Sequence, residues 1–344
     1  MNKRIPIELL RQAHEYGMTE NEILDICGSF SYETLVDSKN ICFVMFLQDA
    51  ISQNAILDIL EKYNLKILLY RIISISEEDA EGVYESDLVS RRLYAWWIKR
   101  KIFNLGNTFV ALVTCSDIPK EYKDIYDYLL CIKGASDPAL SKKGTVRYEY
   151  RVSSKAFGFM HSSDDNISSL REALVFFSYD EIEKAVKNCL SDLYSYTPQK
   201  YDFRLKPENM QLNFYFLLYK IKNILLSNYA HLLSPELDMY LSRIYKGALC
   251  IIQRNLPFNE ERKEISPLLM MEYTALDSFI NEKLVRQLFW NRYDLTIICL
   301  FLKLSDERNF SKITDFLIDQ LEYIGVNLDD SEKLLLRASL LFYA

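Results

Sequence analysis

The spacing of apolar residues changes near residue 180, and this change limits the folds open to the chain. Before residue 180, short apolar runs typical of strands alternate with segments that place apolar residues at helical spacing. After it, helical spacing continues almost to the last residue, with Pro, Gly, Asn and Asp between the segments. The sequence therefore predicts a domain of strands and helices followed by an all-helical domain.

Four apolar runs predict strands, because they are rich in β-branched and aromatic residues. They are ICFVMFL at 41–47, LKILLYRIISI at 65–75, TFVALVTC at 108–115 and KAFGFMH at 155–161. Helical segments separate them, and we expect the one at 119–133, PKEYKDIYDYLLCIK, to begin at its proline. This order favours an α+β fold in which helices lie against one antiparallel sheet.

We place the domain boundaries at 1–38, 39–180 and 181–344. The first segment reads as short helices that end at glycines. The third reads as a series of helices, one of which is EYTALDSFINEKLVRQLFW at 272–290. No repeat of fixed length is visible there, so the pattern does not indicate a known solenoid.

Composition restricts the partners and the compartment that we expect. The 344 residues carry a formal net charge of -7, which argues against a general nucleic-acid binder. The N-terminus becomes polar too early for a secretory signal, and the apolar run LTIICLFLKL is about half the ~20 residues that a membrane span needs. We therefore expect a cytoplasmic protein with neither a membrane nor a nucleic acid as its partner.

Seven cysteines are scattered along the chain, without a CxxC motif or a Cys/His pair at metal-binding spacing. Most of them lie in apolar stretches. We therefore expect reduced thiols buried in the core, and we predict no protein-built metal site.

His161 is the histidine whose surroundings suggest chemistry, since His14 and His231 lie on helical segments without partner motifs. It follows an apolar run and precedes an acidic helix start. A phosphoryl relay through histidine needs a neutral imidazole as the nucleophile and a carboxylate that orients the ring. Glu172, about two turns into the following helix, is the candidate for that carboxylate. Ser163, Asp164 and Asp165 are candidates to cap this helix.

Several motifs in this region resemble those of nucleoside diphosphate kinases. That family has a strand ending in His-Gly-Ser-Asp, with a glutamate eleven residues after the histidine, and this chain has His161, Ser163, Asp164 and Glu172 in those places. Upstream, the segment KGASDPALSKKGTVRYEY resembles the family's nucleotide-binding loop and supplies six matching residues: Gly134, Ser136, Pro138, Gly144, Thr145 and Arg147. Asp49 keeps its place after the first strand. The resemblance covers roughly residues 40–180.

The resemblance implies a ferredoxin-like antiparallel sheet, a phosphohistidine at His161 and an orienting role for Glu172. It also implies a nucleoside di- or triphosphate as ligand, with Mg²⁺ brought by the nucleotide, and a homo-oligomer. The residues that it implies for holding the phosphate or the nucleotide are Arg147, Tyr84, Ser136, Thr145 and Ser163.

Three departures from the family pattern affect ligand binding. Leu47 and Leu130 stand where the family has a lysine and an arginine, and Gly158 stands where it has an asparagine that contacts the ribose. Leucine cannot carry charge, and losing charged partners of a phosphate lowers turnover strongly. Nearby cations are candidates to restore the charge, namely Lys133, Lys142, Lys143, Arg151 and Lys155. The aromatic residues Tyr94, Trp96 and Trp97 either stack on a base or pack the helix that carries them.

Two functions remain open at this point. One is a divergent phosphotransferase that acts through His161 with altered substrate specificity. The other is a catalytically degraded module that senses a nucleotide or serves as a scaffold, whose helical domain binds a protein partner. The retained histidine and glutamate favour the first, and the two leucines together with the large helical domain favour the second.

Overall fold

The computed structural model describes residues 19–91, 96–192, 213–285 and 291–343. The predicted first helix, with His14, lies outside the described residues. Contacts between Cα atoms divide the chain into two compact units, which are interleaved in sequence. Unit 1 comprises Met1–Gly134, Gly144–Arg147 and Gly158–Asn209, and unit 2 comprises Ala135–Lys143, Tyr148–Phe157 and Met210–Ala344.

A four-stranded sheet forms the centre of the described part of unit 1. Its strands are β1 (Ile41–Phe46), β2 (Leu65–Ser74), β3 (Asn107–Cys115) and β4 (Met160–Ser162). They lie in the order β2-β3-β1-β4 and every neighbouring pair is antiparallel. This order confirms the predicted ferredoxin-like sheet. Strands β3 and β4 lie on the two sides of β1.

The helices of unit 1 connect and cover these strands. In chain order they are α1 (Glu20–Ser29), α2 (Tyr32–Asp37), α3 (Gln48–Ser52), α4 (Ile56–Lys62), α5 (Glu77–Arg91), α6 (Trp96–Ile102), α7 (Ile125–Lys133), α8 (Val146–Glu149), α9 (Asn166–Leu174) and α10 (Tyr179–Asp192), and the last two residues of α8 belong to unit 2.

Strand β1 is buried on both faces, which explains its continuous apolar sequence. Ile41, Phe43 and Met45 belong to a core cluster with apolar residues of α1, α5, α9 and α10. Successive strand residues point to opposite faces of the sheet, so Cys42 and Val44 lie on the other side. The first face is the one that carries the candidate site.

Strand β4 is shorter than predicted. The run 155–161 is apolar enough for a strand, yet extended pairing begins only at Met160. Phe159 has a φ of 60°, a left-handed conformation that interrupts a strand, and its carbonyl accepts a hydrogen bond from the N–H of Leu47. Apolar content alone therefore overestimated the strand by five residues at its beginning.

Helix α7 also begins later than its sequence indicated. Pro119 lies in a turn, and the helix starts at Ile125, after Asp124 accepts a hydrogen bond from the N–H of Asp127 at 2.9 Å. An aspartate cap satisfies a free helix N–H group, which a proline at the first position does not do.

Unit 2 contains six long helices within its described residues. They are α11 (Phe214–Tyr229), α12 (Pro235–Gln253), α13 (Phe258–Val285), α14 (Arg292–Ser305), α15 (Phe310–Tyr323) and α16 (Asp330–Leu341). The C-terminal region is helical, as predicted. None of the described helices in the chain is both long enough and apolar enough to span a membrane.

Helix α13 begins at Phe258, fourteen residues before the predicted start at 272, and contains Pro267. The structure carries the helix through this proline, although proline removes one backbone hydrogen bond. Asp329 forms a capping box with Glu332 at the start of α16.

The prediction of buried thiols is only partly correct. All seven cysteines are free, and Cys131 and Cys250 are exposed while Cys299 is partly exposed. These three lie on the outward faces of helices, where an apolar stretch does not guarantee burial.

A buried ion pair joins four helices of unit 2. The Nζ of Lys222 on α11 lies 2.6 Å from Oε2 of Glu272 on α13, and both side chains are 0% exposed. The Tyr245 hydroxyl on α12 donates to Oε1 of Glu272 at 2.8 Å, and the Oγ of Ser305 on α14 lies 3.4 Å from the Lys222 Nζ. Burial lowers the pKa of Lys222, and the adjacent Glu272 carboxylate opposes this effect. Each charge is therefore acceptable only while its partner is present.

Replacing Lys222 by Met should destabilise the protein by about 3–5 kcal/mol, because Glu272 would remain as a buried charge without its ion-pair partner. The double variant Lys222→Met with Glu272→Met should lose less than the single variant. Urea denaturation followed by circular dichroism measures both. As a control, Lys333→Met removes a partly exposed pair with Glu322 and should cost less than about 1 kcal/mol. A single variant no less stable than this control contradicts the prediction.

Candidate functional site

His161 lies in the middle of β4, where its backbone pairs with Met45 of β1. Directly paired residues point to the same face, so its side chain belongs to the face with the core cluster. Its ring lies 6.3 Å from that of Phe43 and 5.1 Å from that of Tyr84, measured between centroids. The His161 side chain remains 16% exposed. The imidazole is therefore held by aromatic neighbours without being sealed from solvent.

Glu172 reaches His161 from α9. The Oδ1 of Asp165 caps this helix by accepting from the N–H of Ser168 at 3.0 Å, as its acidic start suggested, whereas Asp164 is exposed. Two turns later, Oε2 of Glu172 lies 2.7 Å from Nε2 of His161. A carboxylate accepts only, so a neutral His161 carries its proton on Nε2 and keeps a lone pair on Nδ1. The structure thus brings together the two residues that the sequence singled out.

Two further side chains hold the Glu172 carboxylate. The Ser163 hydroxyl donates to Oε2 at 2.6 Å, so Ser163 supports the glutamate rather than capping α9. Arg171 places Nη2 3.4 Å from Oε1. The Glu172 side chain is only 5% exposed, and such a carboxylate needs these partners. They also fix the direction in which it meets the imidazole.

Sequence reasoning missed Arg171, which joins Glu172 to helix α5. Its Nη1 donates to the carbonyl of Gly82 at 2.7 Å and its Nη2 to that of Val83 at 3.2 Å. A Cβ at Gly82 would lie 3.1 Å from a methyl group of Val175, so glycine permits the close approach of α5. The glycine within a helical segment was the available signal for this contact.

Tyr84 lies on α5 and meets His161 edge to face, with 63° between the two rings. Trp96 of α6 lies 5.7 Å from the Tyr84 ring and donates through Nε1 to Glu81 at 3.3 Å. Trp96 therefore packs its helix, whereas Trp97 is 37% exposed. Tyr94 lies outside the described residues. Nζ of Lys99, which the sequence did not single out, lies over the Tyr84 ring at 3.7 Å from its centroid.

Arg147 is directed at the backbone. Its guanidinium donates to the carbonyls of Gly134 at 2.7 Å, Gly158 at 3.0 Å and Met160 at 3.0 Å. Burial lowers the pKa of Arg147 to about 10. Gly134 has a φ of 81°, and a Cβ there would lie 2.6 Å from Oγ1 of Thr145. Arg147 thus fixes the backbone at the start of β4, the strand that carries His161.

Leu47 and Gly158 occupy neighbouring positions. A Cβ at Gly158 would lie 3.8 Å from Cδ1 of Leu47 and 3.8 Å from Nη2 of Arg147. Leu47 is 2% exposed, and its backbone N–H donates to Phe159. Where the family pattern has a lysine and an asparagine, this chain therefore has an apolar side chain beside a glycine.

The remaining predicted residues lie at varied positions. Ser136 is exposed and belongs to unit 2, as do the exposed Lys142, Lys143 and Arg151. Lys155 of the same unit forms an ion pair with Asp137 at 2.7 Å. Lys133 is buried in unit 1 and donates to the carbonyl of Ser162 at 3.3 Å, while Leu130 is 53% exposed. His231 is exposed on unit 2.

Among the described residues, no group of three or more His, Cys, Asp or Glu side chains is arranged to hold a metal ion. Mg²⁺ commonly binds through substrate phosphates with few protein carboxylates, so a nucleotide-borne Mg²⁺ needs no such group.

The family model for nucleoside diphosphate kinase matches residues 41–182. These residues include the sheet, His161 and Glu172. They form a nucleoside diphosphate kinase-like domain. This similarity places the domain in a nucleotide-binding, kinase-like family, and the rest of the described chain is helical.

Two curated relatives align with this nucleoside diphosphate kinase-like domain. The nucleoside diphosphate kinase of Thermobifida fusca is 28% identical over 137 residues, which is 39% of this chain and 93% of the relative. That of Metallosphaera sedula is 27% identical over 143 residues, 41% of this chain and 94% of the relative. Each relative is thus matched over nearly its whole length by about two fifths of this chain.

Solved structures of the same family also align with the chain. The Halobacterium salinarum enzyme in complex with CDP has 24% identity and a TM-score of 0.36, over 42% of this chain and 90% of that one. The structure of the Borrelia burgdorferi enzyme, described as a transition-state mimic with bound vanadate and ADP, has 20% identity and a TM-score of 0.34. The alignment covers 41% of this chain and 88% of that one.

Asp49 is a buried acid at the edge of the nucleoside diphosphate kinase-like site. It is 3% exposed in the first turn of α3. Burial raises its pKa to about 7, against the effect of backbone hydrogen bonds and of Arg147. The folded protein therefore binds a proton there that the unfolded chain, with a pKa of about 3.9, has released.

The free energy of unfolding should consequently fall as pH rises from about 4 to about 7, by up to about 1.4 kcal/mol per pH unit from this group. Asp49→Asn should remove that contribution. Urea denaturation of both proteins at pH 4.5, 5.5, 6.5 and 7.5 measures the difference. Stability curves that run parallel across this range contradict the prediction.

Proposed function

We propose that the protein is a divergent phosphotransferase of the nucleoside diphosphate kinase type, which carries a phosphoryl group on Nδ1 of His161. One observation carries the proposal. The Glu172 carboxylate lies 2.7 Å from Nε2 of His161, which leaves the Nδ1 lone pair as the nucleophile. A positioned nucleophile whose second nitrogen is oriented by a carboxylate is the arrangement that nucleophilic catalysis requires.

The first step would be attack of Nδ1 on the terminal phosphorus of a nucleoside triphosphate. The N–P bond forms, the bond between phosphorus and the bridging oxygen breaks, and the nucleoside diphosphate leaves with the bond electrons. The imidazole gains positive charge while its proton stays on Nε2, where the Glu172 carboxylate stabilises it. In the second step an acceptor phosphate oxygen attacks phosphorus and the N–P bond breaks, which restores the neutral imidazole.

The other residues have supporting roles in this proposal. Ser163 and Arg171 hold the Glu172 carboxylate, and Tyr84 packs against the reacting imidazole. Arg147 acts on the ligand through the backbone that it fixes. Ser136 and Thr145 are proposed as hydroxyl donors to the nucleotide. Mg²⁺ bound to the nucleotide would neutralise phosphate charge.

The substrate specificity should differ from that of the family. Leu47 and Gly158 lie close together in space, and neither has a side chain that can form a hydrogen bond with a ribose hydroxyl. Leu130 adds no charge for a phosphate. A site that lacks the polar groups needed to read a sugar discriminates weakly between sugars. The ligand would therefore be a nucleotide or a related phosphorylated compound held mainly by its phosphates.

We also propose a cytoplasmic protein, since all seven thiols are free and free thiols are typical of reducing compartments. A homo-oligomer is proposed from the resemblance alone. The helical residues of unit 2 are proposed to contribute a surface for a protein partner.

Incubation with γ-labelled ATP or GTP and Mg²⁺ tests the phosphohistidine. Wild type should acquire acid-labile label, and His161→Ala should acquire none. Glu172→Gln should slow labelling by roughly 10- to 100-fold, because the amide holds the ring less firmly and bears no charge. His231→Ala removes an exposed histidine and should label as wild type does.

The same samples distinguish the phosphotransferase from the second function that the chain permits, a nucleotide sensor or scaffold. Leu47 and Leu130 in place of cations favour a protein that binds nucleotide without transferring phosphate. Calorimetric binding of ADP or ATP with no label on wild type would support this sensor and exclude the relay. Neither binding nor label would leave a scaffold.

A further inference from the structure

We propose that Lys99 is the cation that holds the transferred phosphoryl group beside His161. This inference rests on the phosphotransferase function proposed above and names a residue that the sequence motifs do not identify. A phosphoryl group in transfer carries charge on its outer oxygens, and a cation directed at those oxygens stabilises the transition state.

The position of Lys99 follows from two measured contacts. Its Nζ lies 3.7 Å from the centroid of the Tyr84 ring, and that centroid lies 5.1 Å from the centroid of the His161 ring. Taken end to end, these two distances place the ammonium at most about 8.8 Å from the imidazole centroid. Lys99 is half-buried, so the ammonium lies at the side of the site rather than in the core.

The distance that one phosphoryl group bridges lies within this upper limit. The attacked phosphorus lies about 3–3.5 Å from the nucleophilic nitrogen, and an outer oxygen accepts a charge-assisted hydrogen bond of about 2.8 Å from an ammonium. With the P–O bond between them, the two nitrogens are roughly 6–8 Å apart. The upper limit set by Tyr84 therefore agrees with one phosphoryl group between Lys99 and His161.

Three other cations near the dyad, in the part of the chain that the structure describes, make contacts of their own. Arg147 donates to three carbonyl oxygens, and Arg171 donates to two carbonyls of α5 as well as contacting Glu172. Lys133 donates to the carbonyl of Ser162, the strand neighbour of His161 that points to the opposite face. The ammonium of Lys99 lies over the Tyr84 ring, whose centroid is 5.1 Å from that of the imidazole.

The Tyr84 ring positions the Lys99 ammonium before a ligand binds. Tyr84 is 5% exposed and is fixed by Trp96 and Phe103 as well as by His161. A cation over an aromatic face is held more weakly than one in a charge-assisted hydrogen bond to a phosphate. A lysine side chain has rotatable bonds throughout, so it can leave the ring face for a phosphate oxygen without a backbone movement.

The test compares Lys99→Gln with Lys101→Gln, since Lys101 is an exposed lysine on the same helix and both changes remove one positive charge. The readouts are the initial rate of His161 labelling by γ-labelled ATP with Mg²⁺ and the calorimetric Kd for ADP. Lys99→Gln should slow labelling by about 100-fold, the effect of losing one transition-state donor. Lys101→Gln should stay within about twofold of wild type, where exposed single charges act weakly.

A third variant separates charge from packing. Lys99→Arg keeps a cation over Tyr84 and should label at least about tenfold faster than Lys99→Gln, because the charge is retained. Circular dichroism melting identifies a variant that has lost its fold. If the arginine variant folds and labels as slowly as the glutamine variant, charge at this position is not what matters and the inference is overturned.

Failure of this inference and failure of the proposed function give different results. Wild type that labels, together with Lys99→Gln that labels equally fast, overturns the role of Lys99 and leaves the relay at His161. Wild type that does not label overturns both.

Discussion

The candidate site depends on how a nearly buried carboxylate is satisfied. Glu172 is only 5% exposed, and its carboxylate contacts the side chains of His161, Ser163 and Arg171. Such a charge is stable only when hydrogen bonds or ions replace the lost water. These partners come from β4, the segment after it and the carboxylate's own helix, so the carboxylate fixes the relative placement of the strand and α9. The imidazole tautomer is a consequence of this arrangement.

A second buried charge acts on the backbone that leads to the site. Arg147 donates to three carbonyl oxygens, that of Gly134 after α7 and those of Gly158 and Met160 on either side of the left-handed Phe159. A residue that the motif suggests for phosphate binding thus also has a structural task, and its guanidinium suits it because it offers several donors in a fixed plane. Side chains that hold the backbone in this way set the direction in which His161 projects.

The two compact units are interleaved in sequence because two short loop segments, 135–143 and 148–157, pack within unit 2 rather than with their neighbours in the chain. In unit 2, Asn259 donates to the Ser141 carbonyl and Tyr148 donates to Glu260. Segments 135–143 and 148–157 therefore associate with the start of α13. Ser136, which the resemblance suggests for nucleotide binding, lies in the first of these segments. The helical half of the chain thereby supports residues that the family motif contains.

The family resemblance implied the ferredoxin-like form of the sheet. The sequence by itself determined an antiparallel sheet with helices against it, the helical second half, and the spacing that makes Glu172 the candidate partner of His161. Those features follow from local periodicity and from fixed spacing along one strand and one helix, which a linear pattern records. Only the tertiary structure decided that Arg147 faces three carbonyls, that Arg171 joins Glu172 to α5, and that Lys99 lies over Tyr84. The tertiary structure also decided that β4 begins only after Phe159, because the apolar content of a segment does not reveal a residue in the left-handed conformation. Contacts between distant segments depend on side-chain direction and backbone conformation, which spacing along the chain does not encode.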